Sequence, residues 1–162
     1  MQKIRTKILV LCTGNSCRSI MFEAAINHYA GDKFEGFSAG SFPAGYVHPI
    51  AIKTLENHQI STEGLRSKSW DEFKDQPFDL VITVCDNAAN ESCPLFLGNF
   101  IKAHLGVEDP AKFVGSDFDI AAEFERVFLI IEKRIKALIA LDLGNLSKEN
   151  LILELNKIAK LK

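Results

Sequence analysis

The stretch Cys12-Thr13-Gly14-Asn15-Ser16-Cys17-Arg18-Ser19 constrains this chain more than any other. It follows the apolar run Ile8-Leu9-Val10-Leu11 and precedes a helical pattern, so it reads as the loop of a strand–loop–helix unit. A helix N-terminus facing such a loop attracts anions, with about half a positive charge from its aligned peptides. Arg18 adds a permanent charge and a planar fork of donors suited to a tetrahedral oxyanion. Gly14 and Asn15 tolerate positive φ and let the loop turn its amides inward. Thr13, Ser16 and Cys17 complete the oxyanion-binding loop, and Ser19 opens the helix. Cys12, at the bottom of the bowl, is predicted to ionise with a pKa of ~3.5–7.5. Its thiolate is then a nucleophile aimed at the central atom of a bound oxyanion. A cysteine is often only a small buried hydrophobe. The strand before, the helix after, and the Gly-Asn and Arg-Ser pairs inside favour the catalytic loop.

Further along, apolar runs alternate with helical segments. Lys7–Leu11 reads as a central strand, Ser19–Tyr29 as a helix closed by Gly31, and Phe34–Ala39 as a second strand. Gly40–His48 is a Gly- and Pro-rich loop, and Pro49 suits the first turn of a helix to about Asn57. Phe78–Val84 is a continuous apolar run suited to a parallel strand buried on both faces. It ends at Cys85, as the first strand ends at Cys12. The segment from Asp86 to Pro94 is polar and reads as a mobile helix or loop, and Lys102–His104 as a fourth strand. Ser116–Leu141 is the clearest helix, with a capping-box-like Ser116 and Asp119. A last helix spans about 148–161, with Ser147 as its N-cap. The prediction is an α/β single domain over 1–162: a doubly wound, parallel four-stranded sheet with helices on both faces. Cys12 and Cys85 then emerge at one carboxyl edge, where open α/β folds bind ligands. Ser38, His48, His58 and Ser69 read as ordinary surface or core residues, and no histidine pair has zinc spacing, so no metal site is expected.

The loop resembles the phosphate-binding loop of the low-molecular-weight protein tyrosine phosphatase superfamily, which also holds a group of arsenate reductases. Thr83-Val84-Cys85-Asp86-Asn87-Ala88-Ala89, followed by Cys93-Pro94, resembles the redox segment of those reductases. Asp109-Pro110 matches the general-acid position. The stretches Ser38-Ala39-Gly40 and Leu65–Trp70 resemble the wall and support of the loop. The resemblance covers nearly the whole chain. It implies arsenate reduction, with Cys12, Arg18, Ser19, Cys85, Cys93 and Asp109 as catalytic residues. In that scheme Cys85 attacks Cys12, and Cys93 moves the oxidation to an external thiol reductant, thioredoxin first, with glutaredoxin or glutathione as the alternative route. Seven residues separate Cys85 from Cys93, a spacing that a folded segment can close to the ~4.4–6.8 Å between Cα atoms of a disulfide. Plainer readings stay open: buried structural cysteines for Cys85 and Cys93, a packed first-turn residue for Cys17, an Asp-Pro turn for Asp109. A phosphatase acting on aryl phosphates or phosphoproteins is the rival. Ala111-Lys112, where aromatic residues usually follow the Asp-Pro of such phosphatases, count against it.

The 162 residues carry a net charge of −2, which gives no pull toward nucleic acid or anionic membrane. No apolar run approaches the roughly 18 residues of a membrane span, and the run after the basic N-terminus is too short for a signal peptide. A cytoplasmic protein without a bound cofactor is expected, and in a reducing compartment cysteines are more often catalytic or metal-binding than structural.

Overall fold

The structure, a computed structural model, describes residues 5–85 and 99–162. Four parallel strands form one sheet: β1 (Thr6–Leu11), β2 (Phe34–Ala39), β3 (Leu80–Thr83) and β4 (Ile101–His104), in the order β2-β1-β3-β4. The register pairs Leu11 with Ala39 on one side and with Thr83 on the other. The strands before Cys12, Gly40 and Cys85 therefore stop at nearly one level, and the three chain segments leave the sheet side by side.

The helices are α1 (Arg18–Ala30), α2 (Pro49–Asn57), α3 (Asp117–Ile139) and α4 (Lys148–Ile158). The period-two alternation of a strand sends Ile8 and Val10 to one face and Leu9 and Leu11 to the other. The first face packs with Met21, Phe22, Leu55, Phe124, Phe128 and Ile131, contributed by α1, α2 and α3. Leu155 and Ile158 of α4 join the same core. The second face packs beneath Phe73 and Phe78, next to the 3-10 turn Trp70–Phe73. A helical segment thus lies on each face of the sheet.

Helix α3 begins where its sequence says. The Ser116 hydroxyl accepts from the Asp119 amide at 3.1 Å, and the Asp119 carboxylate accepts from the Ser116 amide at 3.4 Å. Its inner stripe, Phe124, Val127, Phe128, Ile131, Ile135 and Leu138, is buried throughout. Each such side chain contributes about 1.5–3 kcal/mol on burial. Ser147 caps α4 by accepting from Asn150 N at 3.1 Å. Strand β3 is shorter than the apolar run that announces it. The run's first residues are held another way, with Lys7 N donating to the Asp79 carboxylate at 2.8 Å. The 86–94 segment, with Cys93, lies outside the described residues.

Candidate active site

The loop between β1 and α1 is shaped by its neighbour, residues 40–48. Amides of that neighbour donate to the loop's carbonyls: Phe42 to Thr13 at 3.0 Å, Ala44 to Gly14 at 2.8 Å, and His48 to Ser16 at 2.8 Å. In a trans peptide the N–H points opposite to the C=O. Pulling those three carbonyls outward therefore turns the N–H groups of Gly14, Asn15 and Cys17 toward the inside of the loop. The N-cap residue Cys17 makes no side-chain capping bond, which leaves the first amides of α1 to an anion as well. Gly40 makes this approach possible. A Cβ there would lie 2.4 Å from the Thr13 carbonyl oxygen and 2.7 Å from that of Cys12.

Of the two residues expected to supply positive φ, only Asn15 does so, at +47°. Its side chain explains why it holds that conformation. Nδ2 donates to Ser19 Oγ at 2.7 Å and to Ser38 Oγ at 3.0 Å, and Oδ1 accepts from Lys68 N at 2.9 Å. Ser38 in turn donates to Glu23 Oε1 at 2.9 Å, and the Lys68 ammonium lies 3.5 Å from the same oxygen. Burial pushes the Lys68 pKa down, against the pull of Glu23. This knot is buried throughout. Ser38 and Lys68 lie in the two stretches expected to form the wall and support of the loop, so Ser38 is more than an ordinary core residue, whereas Glu23 is absent from the expected site residues. The available signal was Glu23, a carboxylate in a helical stretch that is otherwise almost wholly apolar. His48 and Ser69 cap α2 and the 3-10 turn, and His58 pairs with Glu125. Those three are ordinary structural residues.

Arg18 and Asp109 meet across the bowl. Arg18 Nη2 lies 3.5 Å from Asp109 Oδ2, and Nη1 donates to the Val107 carbonyl at 3.1 Å. Arg18 Nε is buried and has no hydrogen-bond partner among the described residues, which leaves a directed donor for an oxyanion. Asp109 caps the 3-10 turn Pro110–Lys112 by accepting from Ala111 N at 3.0 Å, so it is both an Asp-Pro turn residue and a carboxyl at the bowl. Cys17 donates to the same carboxylate at 3.6 Å. Burial and then the Asp109 charge push its thiol up to about 11.

Cys12 and Cys85 are both buried thiols, and they share a hydrogen bond. Thr13 Oγ1 also lies 3.6 Å from Cys85 Sγ. The Cys12 pKa is pushed up, first by the bond to Cys85 and then by burial, while Arg18 and the Asn15 amide pull it down. The direction is opposite to the lowering expected from the loop alone, because Cys85 and burial act on the same thiol. Two thiols in contact ionise as a pair, and the second proton is the one held tightly. Cys93 falls outside the described residues, so its relation to Cys85 is not part of this geometry. Among the described residues, no group of three or more His, Cys, Asp or Glu gathers as a metal site, and no helix is long and apolar enough to cross a membrane.

A model of the low molecular weight phosphotyrosine protein phosphatases matches residues 7–151. The chain belongs to that family. Two relatives are bacterial proteins named arsenate reductase. The one from Halalkalibacterium halodurans is 42% identical over 129 residues, 80% of this chain and 91% of that protein. The one from Bacillus subtilis is 36% identical over the same shares. The crystal structure of an arsenate reductase from Archaeoglobus fulgidus superposes with a TM-score of 0.66 at 27% identity, covering 83% of this chain and 99% of that one. The α/β architecture and the parallel four-stranded sheet of this family member thus agree with the fold expected from its sequence.

Proposed function

We propose that this chain is an arsenate reductase that works by a cysteine relay in a reducing, cytoplasmic setting. The observation that carries the reading is the contact between the Cys12 and Cys85 thiols beside Arg18. A phosphatase that finishes with water needs no second thiol at its nucleophile. The arsenate reductases among the relatives support the same substrate.

Arsenate is held by the inward amides of Gly14, Asn15 and Cys17, by the first amides of α1 and by the Arg18 fork. One proton leaves the thiol pair, and the remaining Cys85 S–H donates to the Cys12 thiolate together with the Asn15 amide. Cys12 sulfur attacks arsenic, and one oxygen departs as water with a proton from Asp109. Ser19 steadies the loop through Asn15. Cys85 sulfur then attacks Cys12 sulfur. The sulfur–arsenic bond breaks with its electron pair on arsenic, which leaves as arsenite, and a Cys12–Cys85 disulfide remains. Cys93 attacks Cys85 and frees Cys12, and a Cys85–Cys93 disulfide passes to an external dithiol, thioredoxin in the first instance and glutaredoxin with glutathione otherwise. The two electrons gained by arsenic are those lost by the two thiols.

The test is arsenite released per protein in a single turnover, with disulfides mapped by mass spectrometry. Cys93→Ser should release one arsenite and stall as Cys12–Cys85. Cys85→Ser should release none without outside thiols. Full multiple-turnover reduction by both variants, with thioredoxin as sole reductant, would overturn the relay. Aryl phosphatase activity lost with Cys12 but kept in both serine variants would mark the shared first step. If the unsubstituted protein showed that activity and released no arsenite, the phosphatase reading would replace this one.

A further inference from the structure

Arg134 is a charged side chain buried far from any role in the proposed chemistry, with only 2% of its surface exposed. Its guanidinium is spent on four backbone carbonyls. Nε donates to Leu161 O at 3.1 Å and Nη2 to Ala159 O at 2.9 Å. Nη1 donates to Leu105 O at 3.1 Å and to Gly106 O at 2.8 Å. The first two acceptors belong to the C-terminal end of α4, where the helix dipole presents negative charge. The other two begin the loop after β4. Burial lowers the Arg134 pKa, yet arginine remains charged in proteins. Burying such a group is costly unless its donors are satisfied. Here the fork geometry of one guanidinium spans two chain segments that no backbone ladder joins.

The second of those segments leads straight into the site. Leu105 N donates to Thr83 O at 2.9 Å and Val107 N to Val84 O at 3.1 Å, so β3 fixes the amide side of the loop. The carbonyl side is fixed by arginines: Leu105 and Gly106 by Arg134, then Val107 by Arg18. Asp109 follows two residues later, 3.5 Å from the same Arg18. Gly106 also allows the chain to pass His104 closely, since a Cβ there would meet His104 Nε2 at 2.6 Å. The family model ends at residue 151, whereas Ala159 and Leu161 lie beyond it. This clamp therefore brings the segment after the matched region to bear on the loop that carries Asp109.

We infer that Arg134 is a positioning residue of the active site: by clasping the end of α4 to the Leu105–Gly106 carbonyls, it sets where the Val107 carbonyl and the Asp109 carboxyl stand against Arg18. The inference rests on the reading of Asp109 as proton donor. Lysine cannot reproduce the clasp, because one ammonium on a flexible stem does not span four fixed carbonyls.

The experiment is the rate of arsenite release in a single turnover at saturating arsenate, measured for Arg134→Lys, Asp109→Asn and the double variant, with melting temperatures alongside. Arg134→Lys should slow release on the order of tenfold or more, since small misplacements of a catalytic group are costly. In the Asp109→Asn background the same change should add less than about twofold, because both act through one carboxyl. Ile158→Ala loosens α4 from beneath, at a residue only 4% exposed, and leaves Arg134 itself unsubstituted. It should slow release in the same non-additive way, and it decides the matter if Arg134→Lys fails to fold. Effects that multiply in full with Asp109→Asn would overturn the proposal, as would a rate kept within about twofold while the melting temperature falls. Should Asp109→Asn alone keep the full rate, the proton-donor reading falls. Arg134 is then judged on inorganic phosphate affinity, which Arg134→Lys must weaken through Val107 and Arg18 for the positioning role to stand.

Discussion

Replacing Asn15 separates two contributions that the loop combines in one residue. The side chain makes three buried hydrogen bonds, and the backbone sits at φ +47°. Asn15→Ala removes all three and keeps a Cβ in the left-handed region. Lys68 N–H then becomes a buried donor without its acceptor, at about 1–3 kcal/mol. The two serine hydroxyls lose a shared donor, at about 1 kcal/mol in total, and the left-handed alanine costs about 1–2 kcal/mol. The sum is a destabilisation of about 3–6 kcal/mol. Asn15→Gly loses the same hydrogen bonds and no longer has a strained Cβ, at the expense of about 0.5–1 kcal/mol of glycine entropy. The glycine variant should therefore be more stable than the alanine variant by about 0.5–1 kcal/mol, although it has the smaller side chain. Urea unfolding followed by tryptophan fluorescence, with slopes compared to confirm a common unfolding, reads both values. An alanine variant as stable as the glycine variant, or a loss below about 1 kcal/mol in each, would refute the argument that Asn15 holds the loop by φ and knot together.

Arg18→Lys keeps the charge and loses the fork. Phosphate affinity measured by calorimetry should fall at least tenfold, or about 1.4 kcal/mol, and unchanged affinity would place Arg18 outside the bowl. Gly40→Ala forces a methyl against the Thr13 and Cys12 carbonyls. It should cost about 1–3 kcal/mol in thermal unfolding, or more if the loop cannot shift, with phosphate binding lost in the same step. Cys17, pushed up to about 11, should be alkylated slowly at neutral pH and faster as pH rises. Because the Asp109 charge raises that pKa, Asp109→Asn should lower it and speed alkylation at a given pH; iodoacetamide labelling read by peptide mass spectrometry checks the sign.

Much of this protein was legible from local chemistry. A buried parallel strand needs a continuous apolar run, so β1 and β3 were visible as Ile8–Leu11 and as the run before Cys85. Ser116 with Asp119, and Ser147, marked the helix starts because capping is settled within four residues. Cys12 and Arg18 stood out by their short, fixed spacing between a strand and a helix. What the sequence could not convey came from residues distant along the chain. Loop 40–48 turns the amides inward across more than 25 positions, and Lys68 closes the Asn15 knot over 53. Arg134 reaches back to Leu105 over 29 and forward to Leu161 over 27. The ionisation of Cys12 followed the same rule. Helix and arginine, both local, argued for a ready thiolate, and the register of β1 with β3 then set Cys85 beside it and changed which proton is held. Patterns of apolarity and capping report forces that act within a few residues. The dielectric, the partners and the charges around a buried thiol exist only once distant strands have paired, and so only the tertiary structure decided them.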